Sequence, residues 1–477
     1  MKNQKRSRLI VVSNRLPVIV KKSRNEKYAL EKATGGLVTA MTPVLKKYSG
    51  VWIGWAGNYK EERVCLKEIL EEAMRDENYK FSSVDIGLSE HELYYKGFSN
   101  EVLWPLFHNV SSYCKYDIKS YKAYKRVNKI FAEKVIQELA VDDFIWIHDY
   151  HLINTAKSLR ERGVKNNIAF FLHIPFPPLE TFIRMPWRLD ILEALLSYNL
   201  VGFHTNTDKK NFLEVVAFLA NSAIIKDAHL PNSAILYHNR EHRVGVFPIS
   251  IDYDEFYNEA KSEEVSLRVE EIQESYPQQK IMLGIDRLDY TKGIPQKLKA
   301  YRSLLANNPD LRTKVKLIQI MVPSREDIDK YANLKSEIEE LIGEINGKFS
   351  QLGWIPILYS YSSVSRAELL AYYRASEIAL ITPLKDGMNL VAKEYCVANI
   401  ELNGVLILSE FAGVKDQFQK NALLVNPFDE ESFINTMKRA LFMGDKEKQE
   451  RMLKMQKNVK KFDIYWWVAS FLKQAKM

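Results

Sequence analysis

Pro383-Leu-Lys-Asp-Gly-Met-Asn-Leu-Val-Ala-Lys-Glu394 follows the apolar run Ile378-Ala-Leu-Ile-Thr382 and leads into apolar residues at helical spacing, Met388, Val391, Ala392 and Tyr395. The run reads as a buried parallel strand and the spacing after it as a helix. An acid, a glycine and a series of free backbone N–H groups are therefore expected where a strand hands over to a helix N-terminus. Unpaired N–H groups and the helix dipole both favour an anion at such a place. Glu394 lies eight residues beyond Asp386, on roughly the same face of the expected helix. A carboxylate there suits ribose hydroxyls. A plainer reading, with Asp386 as a helix cap and Glu394 as a solvated acid, fits the same residues.

The unit of strand, turn and helix recurs outward from this segment. Short apolar runs stand at Leu9–Val12, Val51–Trp55, Phe144–Ile147, Ile168–Leu172, Leu200–Phe203 and Val244–Ile249. A second series follows at Ile281–Ile285, Val315–Val322, Ile357–Tyr361, Ile378–Thr382, Val405–Leu408 and Leu423–Val425. Helical patterns lie between them, among them Tyr121–Ala140, Leu152–Arg162, Asp208–Leu219, Arg325–Ile345 and Ser365–Ala375. This alternation predicts βαβ units and parallel sheets, in two doubly wound domains joined near Pro248-Ile-Ser-Ile-Asp252. The final stretch, Asp463–Lys476, carries Ile464, Trp467, Val468, Phe471 and Leu472 on one helical face, a stripe that reads as docking onto the fold.

A chain of 477 residues exceeds one ordinary core. No apolar run is long enough for a membrane span, and Leu9–Val12 is too short for a signal peptide. Cys65, Cys114 and Cys396 lie far apart without a C-x-x-C spacing, which favours a reducing, cytoplasmic setting and neither a disulfide frame nor a cysteine metal site. The net charge of +8 is dispersed and has no recognition-helix or zinc-finger signature beside it, so small phosphorylated ligands fit better than nucleic acid.

Ligands of open parallel sheets bind beyond the carboxyl ends of the strands, and this chain sets polar residues there. Arg15, His148-Asp149-Tyr150-His151, His173 and His204 follow strands of the first series. Arg287, Lys292, Ser324-Arg325 and Asp386 follow strands of the second. Arg287 and Lys292, on one loop, suit a diphosphate leaving group; Arg15 and Arg325 suit a second phosphate. Surface salt bridging remains the alternative for all four. The His148/His151 pair lacks a third ligand cluster, so no metal is expected. Gly35-Gly36 lacks the G-x-G-x-x-G spacing, and neither a P-loop nor a G-x-S-x-G elbow occurs. A two-carboxylate hydrolase built on Asp149 and Asp386 stays open on sequence alone.

Taken in order, the motifs resemble the trehalose-6-phosphate synthases, retaining glycosyltransferases. The resemblance runs from Val11-Val-Ser-Asn-Arg-Leu-Pro17 through Thr34-Gly-Gly-Leu37, Val51-Trp-Ile-Gly-Trp55 and the segment Tyr95 to His108. It continues through Trp146-Ile-His-Asp-Tyr-His-Leu152, Phe170-Phe-Leu-His-Ile-Pro-Phe-Pro177, Val201-Gly-Phe-His-Thr205, Asp286-Arg-Leu-Asp-Tyr-Thr-Lys-Gly293, Pro323-Ser-Arg325 and the Asp386 to Glu394 stretch. It implies an α/β fold of two Rossmann-like domains (GT-B) facing each other across a cleft: 1–250 for the acceptor, 251–460 for the nucleotide sugar, and 461–477 as a helix returning to the first. It implies glucose transfer from a nucleoside-diphosphate glucose, UDP-glucose above all, to glucose 6-phosphate, with retention and without an obligatory metal or other cofactor.

Carried over by match, Arg15, Tyr95, Trp104 and Arg325 are expected on glucose 6-phosphate and Asp149 on the acceptor sugar. Gly36, Arg287, Lys292 and the backbone of Gly387, Met388, Asn389 and Leu390 are expected on the donor phosphates, and Glu394 on the ribose. His173 and Asp386 are expected on the transferred glucose, and these two with Arg287 and Lys292 make up the catalytic set. The chain departs from the family pattern at Ser250, at Lys415-Asp416-Gln417 and at Tyr121, none of them among those contacts. A synthase acting on glycerol 3-phosphate and a silent sugar-phosphate sensor are the alternatives. No membrane partner is expected; the oligomeric state is left open, a homo-oligomer included.

Overall fold

Two sheets take up the apolar runs. The computed structural model describes residues 8–22, 28–32, 36–62, 66–75, 77–325 and 328–476. One unit comprises the described residues up to Ile249 together with those from Tyr465 onward; Ser250–Ile464 form the other.

The first unit is built on a nine-stranded sheet in the order Lys80–Ser83, Val51–Trp55, Leu9–Arg15, Phe144–His148, Ile168–Phe171, Leu200–Phe203, Arg240–Val246, Asn232–Tyr237, Ile224–Lys226. The first seven run parallel and the last two pair antiparallel. Every residue of Val51–Trp55, Phe144–His148, Ile168–Phe171 and Leu200–Phe203 is buried. Central strands covered on both faces need side chains that avoid water on both, and that is why they read as unbroken apolar runs. The strand expected at Val244–Ile249 lies instead at Arg240–Val246, shifted toward the polar residues by its antiparallel partner.

The last helix, Ile464–Ala475, packs in this first unit. Phe471 stacks on Trp146 at 4.2 Å, Trp467 Nε1 donates to the Phe247 carbonyl at 3.1 Å, and Arg243 Nη1 donates to the Gln474 carbonyl at 2.9 Å.

The second unit holds a six-stranded, wholly parallel sheet in the order Ile357–Tyr361, Val315–Val322, Lys280–Arg287, Ile378–Ile381, Val405–Ser409, Leu423–Val425. Its strand order reverses beside Lys280–Arg287, the place where doubly wound sheets open a crevice for ligands. The helix expected from Arg325 starts at Asp329, so Arg325 belongs to a loop. Among the described residues no helix is long and apolar enough to cross a membrane.

Candidate active site

In the first unit, four adjacent strands deliver their polar ends side by side. Arg15 ends Leu9–Arg15, and its guanidinium lies 4.8 Å from the ring centre of Trp55, the register partner on the next strand. From Trp55 a train of rings continues: His91 at 4.4 Å, Tyr95 on His91 at 5.0 Å, His151 on Tyr95 at 5.5 Å and Tyr150 on His151 at 3.9 Å. Trp104 closes it, 5.8 Å from Tyr150. Arg15, Tyr95 and Trp104 are thus joined by a run of ring contacts, stacked on either side of Tyr95 and tilted elsewhere, an aromatic wall with a cation at one end. Sequence reasoning missed His91. It is buried, and burial first, then the charges of Arg15 and Lys96, push its pKa down to about 4. Its signal was only a histidine in the helical approach to Tyr95.

Asp149 sits at φ 73° and ψ 164°, a region that costs a side-chain-bearing residue about 1–3 kcal/mol. Two hydrogen bonds hold it there: its N–H donates to the Phe171 carbonyl at 2.8 Å, and its Oδ1 accepts from the His173 backbone N–H at 3.2 Å. Asp149 and His173 are therefore brought together. The His173 ring Nε2 lies 3.1 Å from Nδ1 of the fully buried His148. Burial pushes His148 down to about 3; burial and then the neighbouring His148 and His204 push His173 well below its ordinary value. Both rings are neutral at pH 7, and His148 is the inner support of His173. Gly36 opens the helix Gly36–Tyr48; Gly35 and Cys65 lie outside the described residues.

In the second unit, three adjacent strands supply the charged groups. Lys280–Arg287 ends in the exposed Arg287 and runs into the turn Tyr290–Lys292. Gly293 closes that turn at φ 67°, and a Cβ there would lie 2.4 Å from the Thr382 carbonyl, so the loop demands glycine. Leu384 N–H donates to the Thr291 carbonyl at 2.7 Å, tying this turn to the Asp386 segment. Lys292 Nζ meets Asp386 Oδ2 at 2.6 Å, with both side chains mostly buried.

The helix after Asp386 is Leu390–Ala398, later than the sequence suggested, and its cap is Asn389, whose side chain accepts from Ala392 N–H at 3.1 Å. Asp386 is therefore no cap, and it does not share a helix face with Glu394. It lies in the loop, where its N–H donates to the Phe411 carbonyl at 3.2 Å and Asn389 Nδ2 donates to its Oδ2 at 3.1 Å. Glu394, on the helix, is not a solvated acid: it is half-buried, accepts from Tyr373 Oη at 2.9 Å, and has its pKa raised by burial.

Asp289 is the hub that sequence reasoning overlooked. It is fully buried, accepts from Thr291 N–H at 3.0 Å and Oγ1 at 2.9 Å, and meets Arg325 Nη1 at 3.3 Å. Burial would raise its carboxyl, but the charges of Arg325, Arg287 and Lys292 together outweigh burial and hold it below the usual carboxylate range. Arg325 sits at φ 52° and also donates to Tyr331 Oη at 2.6 Å. Asp149, Arg325 and Asn389 all have positive φ without being glycine. Such backbone persists where the surroundings over-determine it, and it gathers at ligand sites. Among the described residues no group of three metal-ligating side chains occurs.

The geometry thus offers a ring-lined wall with a guanidinium in the first unit and a cation-rich loop set in the second. Sequence comparison matches residues 7–477 to a family described as glycosyltransferase family 20. The chain is 41% identical over 469 residues to the alpha,alpha-trehalose-phosphate synthase [UDP-forming] A of Dictyostelium discoideum, across 98% of this chain and 62% of that one. Its fold matches an alpha,alpha-trehalose-phosphate synthase (UDP-forming) from Burkholderia xenovorans in complex with glucose-6-phosphate, with a TM-score of 0.87, 34% identity, and coverage of 99% and 100% of the two chains. It also matches an E. coli structure bound with UDP-2-fluoro glucose, with a TM-score of 0.88, 34% identity and 99% coverage of both.

Proposed function

The chain belongs to glycosyltransferase family 20, and from that premise we propose that it is a UDP-forming α,α-trehalose-phosphate synthase. It transfers glucose from UDP-glucose to glucose 6-phosphate and releases UDP and trehalose 6-phosphate. The observation that carries the chemistry is the set of ion pairs on adjacent loops, Arg325 Nη1 with the buried Asp289 at 3.3 Å and Lys292 Nζ with Asp386 at 2.6 Å, beside the exposed Arg287. Three cations thus stand with two carboxylates, a local excess suited to a phosphorylated ligand.

The second unit takes the donor. Arg287 and Lys292 bind the diphosphate, the backbone of Gly387, Met388, Asn389 and Leu390 takes phosphate or sugar oxygens, and Glu394 takes the ribose; Gly36 is a further donor-phosphate residue by the family resemblance. A helix leaves the N–H groups of its first turn without intrahelical partners, and Asn389 accepts from that of Ala392. His173 and Asp386 orient the transferred glucose. Arg15, Tyr95, Trp104 and Asp149 hold glucose 6-phosphate, and Arg325 adds a second guanidinium for its phosphate.

In the transfer, the bond from the glucose anomeric carbon to the β-phosphate oxygen breaks and its electron pair leaves with UDP. The acceptor hydroxyl oxygen bonds to the same face of that carbon, and its proton passes to the departing phosphate oxygen. Arg287 and Lys292 favour the step by meeting the charge that develops on that oxygen. No metal is needed in this scheme. The setting is cytoplasmic, where cysteines such as Cys114 and Cys396 stay reduced.

The test is nucleoside-diphosphate release from UDP-, ADP- and GDP-glucose, with glucose 6-phosphate, with glycerol 3-phosphate and with neither, in EDTA. UDP release that needs glucose 6-phosphate is the expected result. Release with glycerol 3-phosphate alone would replace the acceptor, and loss of activity in EDTA would require a metal.

A further inference from the structure

The acceptor wall stands on an uncommon backbone. Residues Glu92–Leu103 wind as a π-helix of 12 residues, between the short α-helical turns Leu88–His91 and Trp104–Phe107. π-Helix is ordinarily confined to single-turn bulges, frequently at functional sites. The stretch carries Tyr95 and ends against Trp104.

The winding decides which way these two rings point. They are nine positions apart in sequence. At about 3.6 residues per turn that is about two and a half turns, which would put them on opposite faces. With hydrogen bonds from i to i+5 and about 4.4 residues per turn, it is about two turns, which puts them on one face. They do share a face, since His151 and Tyr150 bridge them ring to ring.

One residue lets this helix lie where it does. A Cβ at Gly97 would fall 2.6 Å from Ser120 Oγ and 3.0 Å from Ser120 Cβ. Ser120 cannot readily turn away: its Oγ donates to Asp117 Oδ2 at 2.9 Å and its N–H donates to the same oxygen at 3.0 Å, within the capped first turn of Ile118–Glu138. The π-helix therefore seats directly on a fixed helix end, backbone against serine.

We infer that the π-helical winding of Glu92–Leu103, seated through Gly97 on Ser120, is what places Tyr95 and Trp104 together for the acceptor, and that Gly97 is a positioning residue for glucose 6-phosphate. The inference rests on the assignment of Tyr95 and Trp104 to that substrate. Gly97 itself touches no substrate; it acts through the phase and seat of the helix.

The test is glucose 6-phosphate binding to the full-length enzyme by calorimetry, with KM and kcat for both substrates, in Gly97→Ala, Gly97→Ala/Ser120→Ala and Tyr95→Ala. A shift of about 1 Å in a positioned group costs on the order of a hundredfold, so Gly97→Ala should weaken glucose 6-phosphate binding about ten- to a hundredfold. UDP binding should stay unchanged, and an unchanged melting profile reports that the first unit is folded. Removing Ser120 Oγ in the double variant should restore much of the loss. Undiminished acceptor affinity in Gly97→Ala, or a loss that the double variant does not relieve, would overturn the positioning role. Undiminished acceptor affinity in Tyr95→Ala would overturn the underlying assignment instead. If Gly97→Ala also loses UDP binding or that melting profile, Ser120→Leu, which crowds the same seat from the other side, replaces it under the same criteria.

Discussion

Lys292 Nζ and Asp386 Oδ2 lie 2.6 Å apart although 94 residues separate them in the chain. The pair ties the strand-to-helix loops of two neighbouring strands, so the lysine is held before any phosphate arrives. Lys292→Ala should lower kcat about 10²–10³-fold, the usual cost of losing one positioned donor to a developing oxyanion, with donor KM changed only a few-fold. Steady-state kinetics with UDP-glucose varied would check it. A loss confined to KM would make Lys292 a ground-state contact only.

Asp289 should matter without touching substrate. Its carboxylate anchors Arg325, and the amide in Asp289→Asn keeps the shape while removing the charge. We expect glucose 6-phosphate KM to rise about tenfold, the size of one charge-assisted hydrogen bond, with UDP-glucose KM nearly unchanged. Equal effects on both substrates would show that the substitution collapses the loop set as a whole.

The buried histidines predict how stability follows pH. His91, pushed down to about 4, and His148, pushed down to about 3, are neutral in the fold, whereas the unfolded chain takes up their protons near 6.5. The unfolded state therefore binds more protons below that pH, and stability falls from about pH 6.5 toward pH 4. His91→Phe keeps the ring stack and removes the protonation. Its melting temperature should drop less between pH 7 and pH 5 than that of the unmodified enzyme, and parallel drops would exclude His91 as a source of acid lability.

Asp149 carries backbone strain that only glycine avoids. Asp149→Ala and Asp149→Gly lose the same hydrogen bond to His173, but glycine escapes about 1–3 kcal/mol of strain against an entropy cost of about 0.5–1 kcal/mol. Asp149→Gly should therefore melt above Asp149→Ala, the reverse of the usual order, while both lose acceptor turnover. Calorimetric melting of the two variants decides it; the usual order would mean that the loop relaxes at no cost.

The central strands were legible because burial on both faces leaves uninterrupted runs such as Phe144–Ile147 and Val405–Leu408. Lys80–Ser83 and Ile224–Lys226 were not, because at the two edges of the sheet they expose most of their side chains and carry no such run; Asn232–Tyr237 carries the run Ala234–Tyr237 but alternates in burial between its two paired neighbours. The candidate site was legible where a polar residue ends a strand, as at Arg15, His173, Arg287 and Asp386. What supports those residues was hidden, since it depends on contacts between distant segments. Asp289 was visible only as part of a motif, and Tyr373, which meets Glu394, sits in an ordinary helical pattern. No periodicity argument anticipates a π-helix either, because its seat, Gly97 on Ser120, joins segments that sequence spacing does not relate.

Phe471 stacks on Trp146, so one face of the first sheet is covered by a helix that is made only after the whole of the second unit. Between the end of that unit's main segment at Ile249 and its closing helix lies the whole of Ser250–Ile464. At typical synthesis rates the nascent first unit waits about 10–40 s with Trp146 and Phe171 uncovered. Its completion therefore waits on the synthesis of the other unit. Until then that aromatic face lacks its cover, and a truncation within Ile464–Ala475 would damage the unit that was made first.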